Sequence, residues 1–345
     1  MRHPSSLLLV AALAMSPAAP AAALEEPLAA RAGERSVLFF PGASGVRVES
    51  GEKALVTIEL PAGTLLRSAA LADSGWLLAG SRAAEQGSTE LVLLAGDGAA
   101  VRELAPPEPR AGRLRAEPLW LVAGGRGEGL LWFEGDSRRS LALRWARFDG
   151  TGFAPPVTIS PPGPGSQLAL AAAALPGGGF VAVWSAFDGE DDEILWSRLV
   201  DGRWLAPRPL ATDNGVPDVT PAVAALGEGA IAAWNRYDPE IAAYRMVTAR
   251  LAGEGWSEPV ATGPAGALYP SFDLLDGTLY LLHLRAGESR GWGFLRLDPA
   301  GRPAGGGAVE SGRLERPVLA PSAAPGGVAL RWADEETVPR WSMEP

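Results

Sequence analysis

The chain has 345 residues, a formal net charge of −10, 47% hydrophobic residues, 43 glycines, 31 prolines, 12 tryptophans and no cysteine. No cysteine means no disulfide framework, thiolate metal centre or cysteine nucleophile. Two histidines, His3 and His283, and one lysine, Lys53, exclude a histidine-built zinc centre and argue against a phosphate-loop lysine or a Schiff base. The acidic balance argues against nucleic acid or an anionic membrane as partner.

The N-terminus reads as an address. Arg2 and His3 precede an apolar run, Leu7 to Met15, and then small residues and prolines with Ala21 and Ala23. This layout predicts a secretory leader over residues 1–23, cleaved after Ala23, and export to a periplasm or the medium. The run is too short to span a membrane, and no later stretch approaches the length needed. Residues 24–53 form an N-terminal segment in which Ser36–Phe40 offers one extra strand.

From residue 54 onward the chain repeats. Gly75, Gly129, Gly179, Gly229, Gly277 and Gly327 each precede an apolar run, at intervals of 54, 50, 50, 48 and 50. Asp97-Gly98, Asp149-Gly150 and Asp201-Gly202 keep a spacing of 52 and each follow a strand-like run. Asp-Gly between such runs predicts a hairpin, because these residues tolerate positive φ. After the turn come Phe153-Ala-Pro-Pro-Val, Trp204-Leu-Ala-Pro and Trp256-Ser-Glu-Pro-Val. Proline cannot donate to a ladder, so this strand is predicted at a sheet edge.

Each unit therefore reads as four strands, A to D: in residues 161–212 these are 168–174, 180–185, 193–200 and 204–210. A period near 50 with four strands per unit predicts an all-β, six-bladed β-propeller of four-stranded antiparallel blades. The units are 64–112, 113–160, 161–212, 213–262, 263–310 and 311–345. The last is short, with strands at 318–322, 328–332 and 338–343 and no D strand. Residues 54–60 are expected to supply that strand and close the ring. A different role for Ser36–Phe40 would make the count five or seven.

The run Ile194-Leu-Trp-Ser-Arg-Leu-Val-Asp-Gly-Arg-Trp204 with Ala206-Pro207, and the run Val247 to Pro259, resemble the blades of sialidase-like propellers. The resemblance covers the second to fourth units and implies a six-bladed fold. That family's Ser-x-Asp-x-Gly-x-Thr-Trp box is altered here, and its Arg-Ile-Pro motif is missing. No catalytic residue carries over.

In this strand order the B–C and D–A loops share one face, where the polar segments fall. Arg236, Tyr237 and Asp238 are the ligand-contact candidates: a bidentate fork, an aromatic face and an acceptor, suited to a sugar or a peptide carboxylate. Asp213 and Asp218 join them from a D–A loop, and Asp188 pairs with Asp238 as a notional two-carboxylate glycosidase site. The competing reading makes these residues caps of their own turns. The acidic run 188–193 offers Asp188, Asp191 and Asp192 to Ca²⁺, without the spacing of a calcium loop; otherwise it is a solvated hairpin tip. No cofactor is implied. Trp76, Trp132, Trp184, Trp234 and Trp332 recur inside strand B and are read as packing between blades, and His283 as a structural histidine. The function expected is non-enzymatic binding of a protein partner or an extracellular glycan at the loop face. The alternative is a sialidase-like glycoside hydrolase with an atypical carboxylate site.

Overall fold

The computed structural model describes residues 26–332, except 33–34, 43–44, 51–52, 74, 98–99, 109–112, 123–127, 213, 287–289 and 323–326. The predicted leader at 1–23, Asp213 and the strand expected at 338–343 lie outside the described residues. Apart from one turn of 3-10 helix, Glu85–Gly87, the regular structure described is all β. No described helix is long and apolar enough to cross a membrane.

Six four-stranded antiparallel blades are arranged as a propeller, each in simple A-B-C-D order. They span 28–58, 64–103, 114–160, 167–209, 218–261 and 267–310, and are called blades one to six. Blades two to six match the first five sequence units. The glycine that opens strand B has a packing reason. A Cβ at Gly75 or Gly229 would lie 2.0 Å from the carbonyl oxygen of Gly96 or Leu251 at the end of strand C. At Asp201-Gly202 both residues have positive φ, 49° and 76°, as a tight hairpin turn requires. Asp149 solves the same turn differently. Its carboxylate accepts from the N–H groups of Thr151 and Gly152, and those hydrogen bonds pull its pKa down to about 2.

The prolines do to the outer strand what their chemistry demands. In blade four strand D is split into Arg203–Trp204 and Arg208–Pro209, and in blade five into Gly255–Trp256 and Val260–Ala261. Both pieces pair with strand C, so each blade keeps four strands with a broken outer edge.

The core lies between blades. Trp132, Trp184 and Trp234 are fully buried, and Trp76 and Trp332 nearly so, as the packing reading expects. Trp234 packs with Ala230 and Ala232 against Val181, Val183 and Trp196 of blade four. Truncating one such indole to alanine costs about 3–5 kcal/mol.

The N-terminal assignment needs correction. Residues 54–60 do not serve a distant last unit. Lys53–Ile58 pairs with Gly45–Ser50, completing a blade made of Leu28–Ala32, Arg35–Gly42, Gly45–Ser50 and itself. Three short hairpins close at far lower entropic cost than one pairing across most of the chain. Ser36–Phe40, read as an extra strand, is the second strand of this blade. The last unit contributes a two-stranded sheet, Val318–Pro321 with Val328–Arg331. Leu319, Leu330 and Trp332 pack on Tyr280 and Leu282 of blade six, while Val318 packs on Leu38 and Phe40 of blade one. This small sheet sits between the last and first blades and completes the circuit.

Candidate functional site

Strand A of each blade starts at the loop face and strand B ends there, so the first residue of one lies beside the last residues of the other. In blade five this register sets Asp218, the first residue of Asp218–Leu226, opposite Arg236, near the end of Gly229–Asp238. The two form a bidentate pair, Nε to Oδ1 at 2.9 Å and Nη2 to Oδ2 at 2.7 Å. Asp218 is 1% exposed, whereas the Arg236 side chain keeps 23% of its surface. Asn214 donates a further hydrogen bond to Asp218. The guanidinium also lies over the ring of Trp234, 5.7 Å from its centroid. Hydrogen bonding to Asp218 raises the pKa of Arg236 against the opposing effect of burial. A side chain held on two sides and open on the third is a preorganised donor.

Tyr237 follows in the strand and meets Tyr244 of strand C directly across the ladder. Their rings make an edge-to-face contact at 5.6 Å and 74°. Burial raises the pKa of the Tyr244 hydroxyl, and Asp192, Tyr237 and Asp218 push it the same way. Asp192 and the buried Glu193 come from the start of strand C in blade four, the neighbouring blade. Burial raises the pKa of Asp192, and Asp188 adds to the rise. The joint between blades four and five thus brings Arg236, Tyr237 and Asp218 together with Asp192, which the sequence offers only to a cation, and with two residues the sequence did not single out, Tyr244 and Glu193. Cross-strand pairing was the available signal for Tyr244; the acidic run 188–193 marked the two acids but not their place beside Arg236.

Two candidates behave as turn residues. The Asp188 carboxylate accepts from the N–H groups of Glu190 and Asp191, and that of Asp238 from Glu240. Asp238 also pairs with Arg245 at 2.6 Å. No group of three or more histidines and carboxylates is placed to hold a metal ion among the described residues, so Asp188, Asp191 and Asp192 do not form one. His283 is 3% exposed, with no hydrogen-bond partner at either ring nitrogen. Burial lowers its pKa to about 4, helped by Arg285. It is a neutral packing residue, opposite Gly293 in strand C.

No family model matches the chain, and no curated protein matches it. Among solved structures it is similar to a puromycin-hydrolysing peptidase of Mycobacterium tuberculosis, at 17% identity and a TM-score of 0.54 over 92% of this chain. The chain spans 55% of the length of that peptidase. It is also similar to an ulvan lyase bound to -[GlcA(1-4)Rha3S]-, at 9% identity and a TM-score of 0.58 over 83% of each chain. At these identities the likeness is one of fold, and the fold is a β-propeller.

Proposed function

We propose that the chain is an exported, non-enzymatic binding module that recognises an extracellular glycan at the loop end of blades four and five. The observation that carries this reading is the Arg236 fork, fixed by buried Asp218 beside the Tyr237–Tyr244 pair. Tyrosine rings take the C–H face of a sugar, their hydroxyls and the carboxylates bond its hydroxyls, and Nη1 of Arg236 remains unused by Asp218. The surrounding acids, Asp188, Glu190, Asp191 and Asp192, favour a neutral sugar over a sulfated or uronic one. The test is calorimetric titration with neutral and anionic oligosaccharides. Saturable binding of a neutral member, lost in Tyr237→Ala, supports the reading, and silence from the whole panel rejects it.

A second reading, a glycoside hydrolase, draws on Asp192 alone: a carboxyl whose pKa is raised, by burial and by Asp188, is shifted in the direction a general acid requires. Reducing-sugar release that disappears in Asp192→Asn would favour it over the binding module.

A further inference from the structure

The repeat supplies its own internal comparison. In blades three to five the position that packs blades together keeps its residue. Trp132, Trp184 and Trp234 sit at matching points of strand B, each opposite a break in the register of strand A. The broken position in strand A behaves otherwise. Register shifts fall at Arg67, Glu117, Ala169, Thr220 and Tyr269, at intervals of 50, 52, 51 and 49. The backbone feature repeats while the side chain changes at every step, in size, polarity and charge. A bulge re-aims the side chain it carries and recurs beside binding sites.

Four of these residues have positive φ: Glu117 at 51°, Ala169 at 57°, Thr220 at 54° and Tyr269 at 51°. For a bulky aromatic this is a true outlier, and strain of this kind persists only where the surroundings enforce it. They do so from the neighbouring blade. The N–H of Tyr269 donates to Asn235 Oδ1 at 2.9 Å. That buried amide also accepts from Thr220 at 2.8 Å and donates to the carbonyl of Ala267 at 2.9 Å. Glu117 holds the next bulge in the same way, accepting from the N–H of Leu170 at 2.7 Å. Each bulge is the third or fourth residue of its inner strand, so the series forms a collar just inside the loop-face mouth of the central channel.

Although its backbone is held this firmly, Tyr269 is 52% exposed. The inner strand beside it, of blade five, brings Thr220, and the next inner strand round, of blade four, carries small Ala169 next to Leu168, itself 42% exposed. From these observations we infer that Tyr269 is the stacking platform of a sugar subsite at the channel mouth, taking the apolar C–H face of a neutral pyranose, with the Thr220 side contributing polar contact. The inference rests on the glycan-binding reading and extends it inward from Arg236 to the channel.

The experiment uses the whole mature chain with a panel of neutral oligosaccharides (gluco-, manno-, xylo- and arabino-) as probes, read by calorimetry and melting temperature together. Tyr269→Gly removes the ring and relieves the φ strain. The expected result is a melting temperature equal to or above wild type with affinity reduced about tenfold, while Tyr269→Phe keeps affinity within about twofold and Val260→Ala, on the outer edge, changes nothing. Wild-type affinity in Tyr269→Gly overturns the platform. If Tyr237→Ala still loses binding in that case, the glycan reading stands and only the subsite fails. Should Tyr269→Gly destabilise the fold as well, affinity measured on Tyr269→Asn, which tolerates positive φ, decides the matter in the same way. No binding by the wild-type chain to any probe overturns both.

Discussion

Arg31 and Asp273 stand 242 residues apart in the chain and grip each other through two prongs, Nε to Oδ1 at 2.7 Å and Nη2 to Oδ2 at 3.3 Å. One belongs to the first blade and the other to the sixth. Between them Leu319 of the two-stranded sheet donates its N–H to Asp273 and accepts from Arg31 at its carbonyl. The two side chains are 9% and 13% exposed. A single ion pair thus ties three sheets where the ring begins and ends. Removing one partner of a largely buried pair strands the other charge, so Arg31→Ala should cost about 3–5 kcal/mol. Urea unfolding measures it; a loss below about 0.5 kcal/mol, the scale of an ordinary surface substitution, would show that the seam is held by apolar packing alone.

His283 gives the molecule an acid-sensitive term. Its imidazole has a pKa of about 4 in the fold against an ordinary 6.5, chiefly through burial. Between those values the unfolded chain binds a proton that the folded one does not, so stability falls as pH drops from 6.5 to 4 and is flat with respect to this group above 6.5. The loss is about 3 kcal/mol. Asp192 and Glu128, both raised, act in the opposite direction, because the folded state holds their protons more tightly. The difference between wild type and His283→Leu therefore isolates the histidine. Identical pH–stability curves for the two proteins would rule the effect out.

Gly293 is the reason that histidine fits. A Cβ there would lie 2.2 Å from His283 Cε1. Gly293→Ala should destabilise by about 1–3 kcal/mol through overpacking. Against a His283→Ala background the same change should cost at least 1 kcal/mol less, a coupling of about the size found for residues in contact. Additive costs in the double-mutant cycle would mean that the two side chains do not share this space.

The broken outer strands predict association behaviour. Pro259 separates Gly255–Trp256 from Val260–Ala261, and Val260 is 62% exposed. Pro259→Val restores a donor and permits one continuous edge strand, an open template for another chain. Light scattering at rising concentration should show self-association of this variant and not of wild type. Equal molecular weights throughout would remove the edge-protection role.

The repeat made five blades legible because each pairs a glycine, forced in blades two to five by the close approach of strand C and in blade six by a positive φ at Gly277, with an apolar run at near-constant spacing. Blade one was missed for a physical reason. Its second strand begins at Arg35, and the glycine ahead of it, Gly33, is followed by Glu34-Arg35-Ser36 rather than directly by an apolar run. Without a visible first blade the sequence assigns residues 54–60 to a distant unit, although Lys53–Ile58 pairs with the adjacent strand Gly45–Ser50. At the site, Asp218 and Arg236 were legible as polar residues at loop ends, and their union follows from the A–B register. That Asp192, Glu193 and Tyr244 join them was not, because contact across the joint between blades depends on how sheets lie side by side, which spacing along one chain does not encode. His283, expected as a hydrogen-bonded structural group, is buried with neither ring nitrogen partnered. That it occupies the tryptophan position of its blade became visible only through register, opposite the Tyr269–Pro270 bulge.

The buried tryptophans have an optical consequence. Trp132 lies in the joint with blade two, Trp184 in the joint with blade three, Trp234 in the joint with blade four, and Trp332 in the joint with blade six. Each indole is dry while its own joint is shut and meets water when it opens, so its emission colour reports on one location. Chains retaining these tryptophans one at a time would turn a fluorescence trace into a record of the sequence in which the ring comes apart.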